Sequence, residues 1–120
     1  MILVHVAKKE DYENALKSSF YGSFSIKKDG FIHCSKIEDV IDVANDNLKS
    51  IKDDLLILCI DARKVKSEIK WEERGSKKIK FPHIYGLLNM DAVINVIPFL
   101  KNKNGDFYLP TKVLEYKKES

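Results

Sequence analysis

Cysteine is scarce in this 120-residue chain: there are two, Cys34 and Cys59, each set in an apolar run. They form no Cys-x-x-Cys unit, and their surroundings read as two buried core residues rather than a disulfide or a reactive thiol. Long hydrophobic stretches are also missing. None approaches the roughly 18 residues of a membrane span, and Met-Ile-Leu-Val-His-Val at the start lacks the basic region and cleavage site of a signal peptide. The expected location is therefore cytoplasmic, with no membrane partner. Charge of one sign is missing too. The net charge is +3, from 21 basic and 18 acidic residues interspersed along the chain, too mild to point to RNA or DNA by itself. Arginine is nearly absent, Arg63 and Arg74 being the only two. Planar guanidinium forks are favoured for phosphate and carboxylate, so both are candidate anion contacts. No glycine-rich phosphate loop, Gly-x-Ser-x-Gly elbow, internal repeat or low-complexity tract occurs.

What is present fits one domain, 1–120. A chain of this length buries roughly two-thirds of its unfolded surface, enough for a core without disulfide staples. Its hydrophobic fraction is 44% and its charged fraction 32%, ordinary for a globular protein. Ile2 to Val6 reads as a buried strand. Lys8 to Ser18 places Tyr12, Ala15 and Leu16 at helical spacing behind an acidic first turn. Phe20 to Lys28 reads as a loop with some extended structure. Asp29-Gly30 signals a turn leading into a short strand, Phe31 to Cys34. Ser35-Lys-Ile-Glu38 matches a capping box, and Ile37, Val40, Ile41, Ala44 and Leu48 behind it share one helical stripe. Leu55-Leu-Ile-Leu-Cys-Ile60 is the best candidate for a central strand covered on both faces. Ile69 to Glu72 alternates as a strand does, while Phe81-Pro-His-Ile-Tyr-Gly86 reads as an irregular turn. Val93 to Leu100 is a further strand, Lys101 to Asp106 a hairpin-like turn, and Phe107 to Tyr116 a last strand. Several strands with two clear helices make the class α+β.

Three histidines stand in apolar or aromatic surroundings: His5, His33 and His83. A single histidine on a buried strand, such as His5, is more often a hydrogen-bonded core residue than a catalyst. His33 stands out because a helix beginning at Ser35 would put it beside free backbone N–H groups and a positive dipole end, where an anion is held well. Ser35 also has its plainer role as the cap. Glu72 and Trp71 should point to opposite faces, and a cleft-facing Glu72 is a candidate general base or ribose acceptor. A solvated strand carboxylate is its bland alternative. Phe81 and Tyr85 are able to stack on a flat ring, though aromatics beside proline more often pack. The histidine spacing, with 27 residues between His5 and His33 and 49 between His33 and His83, matches no metal motif.

At Asp29-Gly-Phe-Ile-His-Cys-Ser35, Lys70-Trp-Glu72, Phe81-Pro-His-Ile-Tyr-Gly86 and Ala92-Val93 the chain resembles the bacterial and plant family called domain of unknown function 952. A more distant similarity is to the catalytic domain of RNA 2′-phosphotransferases, in the ADP-ribosyltransferase superfamily. Its first-strand motif is His-Gly-Thr and its second is His-x-Ser. His33 and Ser35 match the second; His5 matches the start of the first, with Val6 and Ala7 standing in place of Gly-Thr. That resemblance implies two small sheets forming a cleft, flanked by two or three helices, with NAD as cofactor held between His5 and His33. On the transferase reading, the catalytic residues are His33, which would orient ribose or phosphate, and Glu72 and His83, either of which would assist proton or hydroxyl positioning, while Ser35 and the helix N-terminus would hold an anionic group of NAD. Valine and alanine supply neither glycine's close backbone approach nor a hydroxyl. They favour an alternative, a non-catalytic module that holds a nucleotide or other small ligand in the same cleft. A third reading makes these residues braces of the fold.

Overall fold

The computed structural model describes residues 1–75 and 77–118. Three antiparallel sheets carry the architecture. The first orders β1 (Ile2–Lys8), β4 (Leu55–Asp61) and β8 (Val93–Phe99), with β4 central. All seven residues of β4 are buried, because each face of this sheet covers a different core. Strand alternation divides them. Val4, Ile57 and Cys59 face a core shared with α3 (Val40–Asn47), Phe107 and Val113. Leu3, Leu58 and Ile60 face a second core built with α1 (Lys9–Ser18), Ile32 and Ile84. The central-strand expectation for this run is what the structure shows.

A second sheet orders β3 (Ile32–His33), β6 (Lys77–Tyr85) and β5 (Glu68–Arg74), and a small third pairs β2 (Phe20–Tyr21) with β7 (Leu88–Asn89). With α2 (Ser23–Asp29) and the short α4 (Thr111–Leu114) the class is α+β, with four α-helices and three sheets among the described residues. Among the described residues no helix is long and apolar enough to cross a membrane.

Four local expectations are corrected. Ser35 does not cap a helix: its N–H and C=O both bond to Val4, at 2.8 and 2.9 Å, a turn follows, and α3 begins only at Val40. A long-range bridge to β1 takes the backbone groups that the capping box would have used. Phe81 to Gly86 is no turn but the end of β6. Pro82 accepts from Cys34 N–H at 3.1 Å and has no N–H to return, so pairing with β3 stops there while β6 continues beside β5. Phe20 to Lys28 is strand β2 and helix α2 rather than a loop. Phe107 to Tyr116 holds one bridge, Lys101 to Phe107, and then α4 and a 3-10 turn rather than a strand.

Gly22 makes the β2–α2 junction possible. Its φ is +107°, and an added Cβ would lie 2.4 Å from Cδ1 of the fully buried Ile32. Gly22→Ala therefore combines backbone strain with a clash against a side chain that has nowhere to go. It is expected to lower stability by about 1–3 kcal/mol, read as a lower urea midpoint at unchanged slope.

Candidate functional site

β3 and β6 bring His33 and His83 into direct register, with Ile32 opposite Ile84 beside them. Alternation turns the isoleucines into the second core and the two imidazoles to the other face. There they open onto a cleft of about 680 Å³, between this sheet, the β1 strand and α3, and also lined by His5, Ser35, Arg74 and Lys28. Val6, Val43 and Ile51 give it an apolar wall. Volume and lining match a small-molecule site.

His83 is almost wholly buried and its Nδ1 donates to Glu72 Oε1 at 2.8 Å. Tyr85 donates its hydroxyl to the same oxygen at 2.7 Å. These two donors, Tyr85 first, hold the Glu72 carboxyl below its usual range, and Glu72 in return raises Tyr85. The Phe31 ring stacks on His83 with centroids 4.2 Å apart. A carboxylate on Nδ1 sets the tautomer that leaves Nε2 as the acceptor nitrogen. Nε2 makes no hydrogen bond among the described residues. Glu72 points opposite to Trp71, as alternation requires, but it stands behind His83 and does not itself line the cleft.

His33 lies 5.5 Å from His83, centroid to centroid. Its Nδ1 accepts from Arg74, and its Nε2 donates to Asp29 at 3.1 Å. Burial lowers its pKa, and the Arg74 charge works in the same direction while Asp29 opposes it. Arg74 thus presents a half-spent guanidinium at the cleft rim. Arg63 is elsewhere: it forks onto Asp61 beyond the end of β4, on a different part of the surface.

His5 lines the same cleft with both ring nitrogens engaged. Nδ1 donates to the His33 carbonyl, and Nε2 accepts the Tyr21 hydroxyl at 2.7 Å. Burial pushes its pKa down to about 4 and that of Tyr21 up. Its position joins β1, β2 and β3, which is the work of a brace. Ser35 lines the cleft as bridged, extended backbone with no helix start behind it, so the anion-holding role expected of a capped helix at this point is withdrawn. Cys34 and Cys59 are buried free thiols, pushed up to about 12 and about 11 by burial, and inert as nucleophiles.

Asp29, Phe31 and Tyr21 escaped the sequence reading. Asp29 carried a faint signal, since a carboxylate four residues before a histidine sits within reach across a turn. Tyr21 carried none, for it lies in a stretch that reads as loop.

An α+β domain with an imidazole-lined cleft between sheets is the class that fold and site define. The pattern of a family of proteins of unknown function, DUF952, matches residues 6–96, and the chain belongs to that family. Among solved structures, the crystal structure of protein CC0527 from Caulobacter crescentus is similar, with a TM-score of 0.81 and 22% identity over 95% of this chain and 99% of that one. Its solution NMR structure gives a TM-score of 0.72 and 23% identity over 88% of this chain and 90% of that one. These likenesses show the fold. No curated protein matches the chain.

Proposed function

We propose that the cleft binds a phosphate-bearing nucleotide, NAD foremost, and that the protein is a transferase of the ADP-ribosyl or RNA 2′-phosphotransferase type. The observation that carries this reading is the convergence on one cleft of His83, oriented by Glu72, and Arg74, held at the rim by His33. Arg74 and Lys28 would hold phosphate oxygens, the guanidinium through the donors His33 leaves free. Bound NAD would supply an activated glycosidic bond. His83 Nε2 would take the proton of an acceptor hydroxyl, and Glu72 would orient the ring and stabilise the resulting imidazolium. The apolar wall would exclude water from competing as acceptor.

A second reading keeps the ligand and removes the turnover. Both nitrogens of His5 are spent, Glu72 stands behind His83, and Val6-Ala7 replaces the Gly-Thr of the resembled motif; each favours a non-catalytic binding module. Titration calorimetry with NAD, ADP-ribose and 2′-phosphorylated RNA tests the shared claim. Binding of at least one is expected, weakened by about tenfold or more in Arg74→Ala, the usual loss for a charge-assisted phosphate contact. His83→Ala should retain most of that affinity and lose any released nicotinamide or transferred phosphate. A ligand that binds wild type without product on long incubation selects the module. No heat with any of the three at millimolar concentration sinks both.

A further inference from the structure

β5 is an edge strand. It pairs with β6 on one side, and among the described residues no strand or backbone hydrogen bond meets its other side. Exposed edges are normally blunted, because unpaired N–H and C=O groups template association with another chain. This one is seven residues long, Glu68-Ile-Lys-Trp-Glu-Glu-Arg74, and Trp71 at its midpoint is 39% exposed.

Its charges are self-complementary about that midpoint. Laid antiparallel against a second β5 with Trp71 facing Trp71, Glu68 meets Arg74 and Lys70 meets Glu72, each pair occurring twice by symmetry. Ile69 meets Glu73, with no like charges opposed. Slipping the strands by two residues in one direction sets Lys70 on Lys70 and Glu68 on Glu72. Slipping them in the other sets Glu72 on Glu72 and Lys70 on Arg74. Like charges directly opposite are destabilising in a ladder, so one register is favoured and its neighbours on both sides are opposed. The backbone agrees. Residues whose numbers sum to 142 share parity, so outward-facing N–H and C=O groups meet outward-facing ones from Ile69 to Glu73, where β5 keeps an even register with β6; the register shifts only at the last residue, Arg74.

The side chains involved have capacity to spare. Glu72 uses Oε1 for both His83 and Tyr85, leaving Oε2. Arg74 uses one guanidinium nitrogen on His33. Lys70 lies over the Tyr85 ring at 4.5 Å, on the same sheet face as Glu72.

We propose that two copies of this chain associate through β5 edges in that register, forming a two-fold dimer with a continuous six-stranded sheet, β3-β6-β5 joined to the partner's β5-β6-β3. The occupant of the edge is a second copy because the pattern is complementary to itself. Isologous pairing is also the commonest symmetry of soluble oligomers. The dimer sets the partner's Glu68 against Arg74 at the cleft rim, so occupancy of the two sites would sense assembly. The inference stands apart from the ligand proposal: it holds whether or not the cleft binds a nucleotide.

A seven-residue ladder, about 24 Å long, makes an interface at the small end of the range, so micromolar dissociation is expected. Sedimentation equilibrium from 5 to 500 micromolar, on the order of that affinity, should show a monomer–dimer equilibrium. Lys70→Glu opposes Glu72 twice and should weaken it by at least about tenfold, with circular dichroism unchanged. Register is read by mild oxidation of two variants. Trp71→Cys, on the axis, should crosslink into a covalent dimer. Glu73→Cys, whose two copies lie four positions apart, should not. A monomer at every concentration, a dimer indifferent to Lys70→Glu, or equal crosslinking at both positions overturns the proposal.

Discussion

Leu58→Ala is expected to lower the free energy of unfolding by about 3–4 kcal/mol, a large share of the ~5–15 kcal/mol typical of a domain. Leu58 has no exposed surface. It sits on the central strand, paired with His5 on one side and Val96 on the other. Its side chain enters the second core, among Leu3, Ile84 and Leu88. Removing it forfeits transfer energy and leaves a hole whose walls come from separate sheets. Those walls are held by two ladders and cannot close on the gap, which keeps the cost above the low end of the usual range. The control is Leu16→Ala on α1. Leu16 is 55% exposed, and a surface truncation of this kind stays within about 0.5 kcal/mol. Urea unfolding of both variants at pH 7.5 checks the contrast. A Leu58→Ala midpoint no lower than that of Leu16→Ala would contradict the double-cored arrangement.

That arrangement was legible where local pattern and tertiary role coincide. Leu55 to Ile60 is an unbroken apolar run too short for a helix, and only a strand covered twice satisfies it. β1 and α1 declared themselves in the same way. Legibility failed where a long-range contact overrode a good local signal. Ser35 and Glu38 have the side chains of a capping box, yet Val4 of β1, thirty-one residues earlier in the chain, claims the backbone of Ser35. Pro82 and Gly86 punctuate β6 like a turn. The proline is tolerated because β3 ends opposite it, a fact about the partner strand that no window around Pro82 contains. Gly22 reads as a loop residue, whereas its positive φ starts α2.

The site divides along the same line. Opposite faces for Trp71 and Glu72 follow from alternation alone. The facing of His33 and His83 follows from a strand register, and register between segments fifty residues apart is set by the burial of Ile32 and Ile84 together, not by anything near either histidine. Arg74 reached the cleft while Arg63 did not, because β5 runs along β6 to the cleft mouth and Arg63 turns back onto Asp61. His5 is the instructive residue. Its buried strand suggested a hydrogen-bonded brace, the resemblance suggested a ligand contact, and its saturated nitrogens agree with the brace.

The brace carries the second large expected effect, loss of stability in acid. His5 has a folded pKa of about 4, against about 6.5 when unfolded. Between these values the unfolded chain binds a proton that the folded chain refuses, so stability rises with pH there. The full contribution is present above about pH 6.5 and is lost as pH falls toward 4, about 3 kcal/mol in all. His33, lowered for the same first reason of burial, adds in the same direction. The physical cause is specific. Protonated His5 would carry a proton on Nε2, turned toward the Tyr21 hydroxyl that now donates to it, on a ring that burial strips of water. His5→Gln removes the titrating group while keeping an amide donor for the His33 carbonyl. Urea midpoints for wild type and His5→Gln, measured at half-unit steps from pH 8 to pH 4, should diverge at the alkaline end and approach one another in acid. The wild type should show the steeper slope between pH 6.5 and 4. Equal slopes would mean that another group governs the acid limb, and that His5 exchanges its proton with solvent in the folded state.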